Sequence, residues 1–122
     1  MQKLRILLIE DQADIRNLLS EALEEAGFEV SEMPDNRQAL ATLESQVFHA
    51  VVTDIDLGQG PDGWDVARRA REVIPDLPVV CVTGTAGDDW TSKGVPNSVL
   101  ITKPFAPMQI VTAISSLLNV SG

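Results

Sequence analysis

Residues 50–57 have the sequence Ala-Val-Val-Thr-Asp-Ile-Asp-Leu, in which a short apolar run is followed at once by an acidic segment. Small and β-branched residues fill Ala50–Thr53, which is typical of a strand that is buried on both faces of a parallel sheet. Asp54 comes directly after that run. The stretch therefore predicts a buried strand with a carboxylate at its carboxyl end.

Similar apolar runs lie on both sides of this strand and alternate with helical patterns. They predict four more strands, at residues 4–9, 28–33, 79–83 and 99–101. Between these runs, and after the last one, apolar residues recur every three or four positions, as they do in amphipathic helices. Five strands alternating with about five helices predict an α/β fold in which helices cover both faces of a parallel sheet.

The predicted helices differ in how clearly their limits are marked. The first has residues 15, 18, 19, 22, 23 and 26 on one apolar face and is expected to stop at Gly27. The second has residues 39, 40, 43 and 47 on one face, and either Asp35 or Asn36 can cap it. Three glycines and a proline lie between residues 83 and 103, so a helix between the fourth and fifth strands is expected to be short or irregular.

Composition limits the class of protein. The chain has 122 residues, a hydrophobic share of 44% and a formal net charge of −9, which fits a single domain spanning residues 1–122. The acidic balance argues against nucleic acids and anionic membranes as partners. No apolar run approaches the ~20 residues of a membrane span, and the lone Cys81 excludes a disulfide within the chain. A cytoplasmic protein is expected.

Four of the five predicted strands end in chemically reactive or ion-binding residues. These are Glu10 and Asp11 after the first strand, Asp54 after the third, Thr83 at the end of the fourth and Lys103 after the fifth. Parallel strands bring their carboxyl ends to one edge of the sheet, where such folds bind ligands. Three carboxylates meeting there would repel one another without a cation. Donor sets made only of oxygen favour Mg²⁺, with Mn²⁺ as an alternative.

Asp54 is the candidate nucleophile of this edge. A carboxylate can attack phosphorus and form an aspartyl phosphate if the charge on the phosphoryl oxygens is neutralised. The metal ion would supply part of that neutralisation and the Lys103 ammonium another part. The Thr83 hydroxyl can donate a further hydrogen bond.

With these residues at its strand ends, the chain resembles the receiver domains of two-component response regulators. The resemblance rests on five elements that occur in the family's order and with nearly its spacing: Glu10-Asp11, residues 52–57, Asp62-Gly63, Thr83-Gly84 and Lys103-Pro104-Phe105. It spans essentially the whole chain and implies a flavodoxin-like fold with strand order 2-1-3-4-5. It also implies a stand-alone, phosphoryl-accepting signalling module.

The resemblance assigns a role to each strand-end residue. It implies that Asp54 is the phosphoacceptor and that Mg²⁺ is held by Asp11, Asp54 and the backbone carbonyl of Asp56, with Glu10 assisting through water. Thr83 would be the switch hydroxyl and Lys103 would bind the phosphoryl group. The donor would be a sensor histidine kinase or a histidine phosphotransfer protein. The downstream target is unknown, and the output would be a protein contact or onward phosphotransfer.

One position departs from the family pattern. Leu100 stands three residues before Lys103, where many receivers have an aromatic side chain that moves with the threonine. We therefore expect the phosphorylation chemistry to follow the family, whereas the signal is not expected to be transmitted by the usual aromatic switch.

Two other functions compete with this interpretation. One is an interaction domain with the receiver fold that is never phosphorylated. The other is a phosphatase of the haloacid dehalogenase type, whose nucleophile motif resembles Asp54-Ile55-Asp56. In that class the nucleophile strand usually comes first, whereas here it comes third. The chain is expected to catalyse only its own phosphorylation and dephosphorylation, and so not to be an enzyme with a separate substrate.

Overall fold

The computed structural model describes residues 3–54, 63–75, 77–83, 98–102 and 105–118, with the backbone alone for residues 36, 63–65, 83, 98 and 102. Within these ranges the chain forms five strands and four helices. They are β1 (Arg5–Ile9), α1 (Ala13–Glu25), β2 (Glu29–Met33), α2 (Asn36–Ser45), β3 (Ala50–Asp54), α3 (Gly63–Val73), β4 (Val79–Thr83), β5 (Ser98–Thr102) and α4 (Pro107–Leu117). The predicted short or irregular helix between β4 and β5 lies outside the described residues.

The five strands form one parallel sheet in the order β2-β1-β3-β4-β5. This confirms the predicted strand order, and each predicted strand limit is met to within one residue. In the pairing of β1 with β3, Ile9 lies opposite Thr53. The residues that follow these two positions therefore emerge side by side at the carboxyl edge of the sheet.

Within the described ranges, two helices cover each face of the sheet. Alternate strand residues such as Leu7, Val51 and Cys81 pack in one apolar cluster with residues of α2 and α3. The intervening residues, such as Leu8 and Val52, pack in a second cluster with residues of α1 and α4. The central strands are buried on both faces, which explains why their sequences are continuous apolar runs rather than alternating ones.

Local chemistry fixes two of the helix limits that the sequence predicts. At the end of α1, Gly27 has a positive φ of 99° and its N–H donates to the Glu24 carbonyl, while the Phe28 N–H donates to the Leu23 carbonyl. These two bonds form the Schellman motif that commonly ends a helix at glycine. At the start of α2, Asp35 is the cap, because its Oδ1 accepts the Gln38 N–H at 2.8 Å.

Three apolar positions differ from their predicted environment. Leu18 is 56% exposed, because it lies at the margin of the α1 stripe that Leu19 and Leu23 bury in the core. Ala26 is exposed because α1 ends before it. Val47 is 66% exposed, because α2 ends at Ser45 and the chain is already extended at Gln46. Phe48 takes the inward position instead and is buried.

Among the described residues, no helix combines the length and the apolar character that crossing a membrane requires.

Candidate metal and phosphoryl site

Three acidic side chains meet at the carboxyl edge of the sheet. Glu10 directly follows β1 and Asp54 is the last residue of β3, so the parallel pairing of these strands places the two side by side. Both are almost fully buried, with 2% and 3% of their surface exposed, whereas Asp11 is exposed. The cluster therefore has a buried floor of two carboxylates and one carboxylate open to solvent.

The spacing of the three carboxylates fits a small divalent cation. One oxygen from each of Glu10, Asp11 and Asp54 lies within 4.8 Å of the others. Oxygens on opposite sides of an octahedral Mg²⁺ are about 4.2 Å apart, twice the usual bond length, so the cluster needs only a small contraction to hold the ion. The donors are all carboxylate oxygens, which suits Mg²⁺ or Mn²⁺ rather than zinc.

The backbone of Glu10 is held on both sides. Its N–H donates to the Met33 carbonyl at 3.1 Å, which extends the pairing of β1 with β2 by one residue. Its carbonyl oxygen accepts a hydrogen bond from Nη1 of Arg16 at 2.8 Å. Its side-chain Oε2 accepts the Gln12 N–H at 3.2 Å, close to the amino end of α1. That helix end carries partial positive charge, which favours carboxylates nearby.

Arg16 joins three segments at this edge. It lies in the first turns of α1, donates to the carbonyl that follows β1, and forms an ion pair of 3.8 Å with Glu32 of β2. Arg16 is not among the site residues predicted from the sequence. The available signal is its position: a cation one turn into the helix that begins just after the acidic pair.

The structure describes the other predicted site residues only in part. Thr83 is the last residue of β4, at the same edge as Asp54, but its side chain lies outside the described residues. Asp56 and Lys103 also lie outside them, so their predicted roles remain predictions. Leu100 lies in β5 and packs partly buried against the apolar cluster of α2 and α3.

His49, the chain's only histidine, lies far from the acidic cluster along the sheet. It precedes β3, whereas Asp54 ends that strand. Nδ1 of its ring accepts a hydrogen bond from the backbone N–H of Arg5.

The response regulator receiver domain family matches residues 6–115 of the chain. The chain belongs to this family. Receiver domains are signalling modules of two-component systems, and the match runs from the second residue of β1 almost to the end of α4. Both the predicted family and the predicted flavodoxin-like arrangement are thereby confirmed.

Known receivers resemble this one over nearly their whole length. The response regulator receiver protein CpdR of Brucella abortus is 35% identical over 116 residues, which cover 93% of this chain and 96% of CpdR. The crystal structure of a response regulator receiver protein from Sinorhizobium medicae has a TM-score of 0.93 and 41% identity, covering 97% of this chain and 96% of that one.

A more distant structure shares the fold alone. The receiver domain of the sensor histidine kinase PA1611 from Pseudomonas aeruginosa is 22% identical, with a TM-score of 0.82 over 97% of this chain and 99% of that domain. That domain was crystallised with a magnesium ion coordinated in its active-site cleft.

Proposed function

We propose that this receiver domain accepts a phosphoryl group on Asp54 with the help of a divalent metal ion, Mg²⁺ or Mn²⁺. The observation that carries the proposal is the convergence of Glu10, Asp11 and Asp54, with one oxygen of each within 4.8 Å of the others. The magnesium ion in the active-site cleft of the PA1611 receiver is consistent with this choice of metal. Asp11, Asp54 and the Asp56 carbonyl would bind the ion, and Glu10 would assist through water.

The residues of the chain would divide the work of phosphoryl transfer. An oxygen of Asp54 forms a bond to phosphorus while the bond between phosphorus and the donor imidazole breaks, and the imidazole leaves with a proton. A bound Mg²⁺ would neutralise negative charge on the phosphoryl oxygens. Lys103 would add a second positive charge and Thr83 a hydrogen bond. Attack of water on phosphorus then returns the Asp54 carboxylate and releases phosphate.

The burial of Asp54 suits this role. The residue is only 3% exposed, so its carboxylate is almost wholly shielded from bulk water. Electrostatic interactions are stronger in such a shielded place than in water. A poorly solvated carboxylate also has less bound water to lose before it attacks phosphorus.

The donor would be a phosphohistidine on a sensor histidine kinase or a histidine phosphotransfer protein in the cytoplasm. The chain would catalyse only its own phosphorylation and dephosphorylation. Its net charge of −9 supports a protein rather than a nucleic acid or a membrane as the target of the signal. The output would be a protein contact or onward transfer of the phosphoryl group.

Incubation with acetyl phosphate and Mg²⁺, followed by intact mass spectrometry, tests the proposal. The wild-type chain should gain the mass of one phosphoryl group, and a chelator should prevent the gain. Asp54→Asn should abolish it. Asp14→Asn is the matched control, because Asp14 is an exposed carboxylate in the first turn of α1 and lies outside the acidic cluster. This control should be phosphorylated like wild type.

Three results would contradict the proposal in different ways. Uptake that survives Asp54→Asn would place the acceptor elsewhere. Metal binding without any uptake would favour the interaction domain that is never phosphorylated. Sustained release of phosphate from many phosphomonoesters would favour the phosphatase.

A further inference from the structure

We infer that Arg16 is a positioning residue of the metal site, in that it holds the turn between β1 and α1 in the conformation that binds the ion. The inference rests on the proposed function and adds to it a residue that need not touch the metal. It is carried by the bond of 2.8 Å from Nη1 of Arg16 to the carbonyl oxygen of Glu10.

The bond acts on the backbone of Glu10, which belongs to the acidic cluster and directly precedes the proposed ligand Asp11. Glu10 has its N–H fixed by the Met33 carbonyl and its carbonyl fixed by Arg16, so both peptide groups around its Cα are restrained. The Glu10 carbonyl belongs to the peptide group that joins Glu10 to Asp11. Arg16 thus restrains the path of the chain through two of the three acidic residues, from a position one turn inside α1.

This restraint matters most before the ion binds. The three carboxylates repel one another in the absence of a cation, and rotation of the Glu10-Asp11 peptide would relieve that repulsion by separating them. If Arg16 prevents the rotation, the free protein keeps the ligands together and binding need not reorder them. Ordering one residue's backbone costs enough free energy to change a binding constant several-fold or more.

Arg16 is itself held in place from the neighbouring strand. Its Nε lies 3.8 Å from Oε1 of Glu32, and its side chain is only 20% exposed compared with 39% for Glu32. A half-buried guanidinium with two acceptors on different segments has little freedom to swing away. The Glu32 contact is long and exposed, so we expect it to contribute less than the bond to the Glu10 carbonyl.

The charge of Arg16 and its bond to the Glu10 carbonyl should affect metal affinity in opposite directions. A guanidinium beside Glu10 repels a cation, so on charge alone its removal would tighten metal binding. Loss of the positioning bond would weaken binding instead. Groups that orient metal ligands typically change metal affinity by about 10- to 100-fold when removed. We therefore expect Arg16→Gln to bind Mn²⁺ about tenfold more weakly than wild type.

The test is the dissociation constant for Mn²⁺, measured from the electron paramagnetic resonance signal of the free ion in solution. Arg16→Lys keeps the positive charge and can donate an ammonium N–H, so it should recover part of the affinity. Arg69→Gln is the matched control, because it removes the same charge from a guanidinium whose ion pairs, within the described residues, are with Glu44 and Glu72 and not with the acidic cluster. Its affinity should equal that of wild type. Unfolding curves establish that each variant is folded during the measurement.

A second measurement separates positioning from general damage. The rate of phosphoryl uptake from acetyl phosphate is followed as the Mg²⁺ concentration rises. A positioning role predicts a higher half-saturating Mg²⁺ concentration for Arg16→Gln with nearly the same plateau rate. A fold that is damaged throughout would lower the plateau as well, and that result overturns the inference.

The remaining outcomes are distinct from one another. In one outcome the wild type binds Mn²⁺, and Arg16→Gln and Arg16→Lys bind it as tightly as wild type or more tightly. That result overturns the positioning role but leaves the proposed metal site intact. Absence of Mn²⁺ binding by the wild-type chain overturns the proposed metal site and the inference with it.

Discussion

The backbone N–H of Arg5 donates a hydrogen bond of 2.8 Å to Nδ1 of His49, and the His49 N–H donates one of 2.8 Å back to the Arg5 carbonyl. A ring nitrogen thus takes the place that a strand carbonyl has in a regular parallel ladder. From there the pairing of β1 with β3 continues with Ile6 opposite Ala50. The imidazole ends this ladder at the edge of the sheet opposite the acidic cluster.

Replacing His49 by alanine should destabilise the fold by about 1–2 kcal/mol, because the partly buried Arg5 N–H loses its acceptor. His49→Asn should lose much less, since its side-chain oxygen can reach nearly the same place as Nδ1. Urea unfolding near neutral pH measures both. Equal losses for the two variants would mean that ring packing, not the hydrogen bond, makes the contribution.

Gly27 offers a test of backbone conformation that is almost free of packing effects. Its φ is +99°, and a Cβ added there would meet no atom within 4 Å. Gly27→Ala should therefore lower the free energy of unfolding by about 1 kcal/mol through the left-handed backbone alone. Gly27→Asn should lose less, because asparagine tolerates positive φ better. A Gly27→Ala protein as stable as wild type would show that α1 can end in another way.

The sheet and its acidic edge were predictable because both depend on residue type along the chain. Central parallel strands must be apolar throughout, so Ala50–Thr53 and Val79–Thr83 stand out in the sequence. Once the strands are placed, topology alone brings their carboxyl ends together. Glu10, Asp11 and Asp54 could therefore be grouped without any knowledge of distances.

Contacts to backbone atoms could not be predicted in the same way. Arg16 bonds the Glu10 carbonyl, and the ring of His49 accepts the N–H of a residue 44 positions away. Every residue offers a carbonyl and all but proline offer an N–H, so such pairs leave no signature in the residue types. The prediction that Val47 lies on the apolar face of α2 was wrong, because its spacing fits the helix although α2 ends at Ser45. Spacing alone does not show where a helix ends.

Cys81 should be unreactive in the folded protein. It is fully buried in β4, and burial raises the pKa of its thiol to about 12. The reactive thiolate is then on the order of a thousandfold rarer than for a thiol of ordinary pKa, 9.0. Labelling with a thiol reagent near neutral pH should proceed only through unfolding and should follow the unfolding equilibrium in urea. Fast labelling of the native chain would contradict the burial.

The same pKa shift sets the sign of an alkaline effect on stability. The unfolded chain loses its thiol proton near pH 9, whereas the folded chain holds it to about pH 12. Cys81 therefore leaves the free energy of unfolding unchanged below about pH 9 and lowers it as the pH rises above that value. Cys81→Ala has no thiol to ionise, so only wild type loses stability in this way. The stability advantage of wild type over the variant should therefore shrink above pH 9. A constant difference across that range would refute the assignment.

Neutralising one carboxylate of the acidic cluster should stabilise the metal-free protein. Asp11 is exposed and lies with Glu10 and Asp54 in a group whose oxygens are within 4.8 Å of one another. Asp11→Asn removes repulsion worth about 1 kcal/mol at that separation in a well-solvated place. In the presence of a chelator, the variant should therefore unfold at higher urea concentration than wild type. Asp14→Asn, outside the cluster, should show no such gain.

Added Mg²⁺ should reverse that order. An ion that binds only the folded state stabilises it by about 1.4 kcal/mol at ten times its dissociation constant. Wild type should gain this stability because its three carboxylates remain available, whereas Asp11→Asn has lost one charged ligand and should gain far less. The two urea midpoints should cross as Mg²⁺ is raised. If Asp11→Asn is instead less stable than wild type without metal, the carboxylates are held together by contacts stronger than their mutual repulsion, and the cluster is a structural network rather than an ion site.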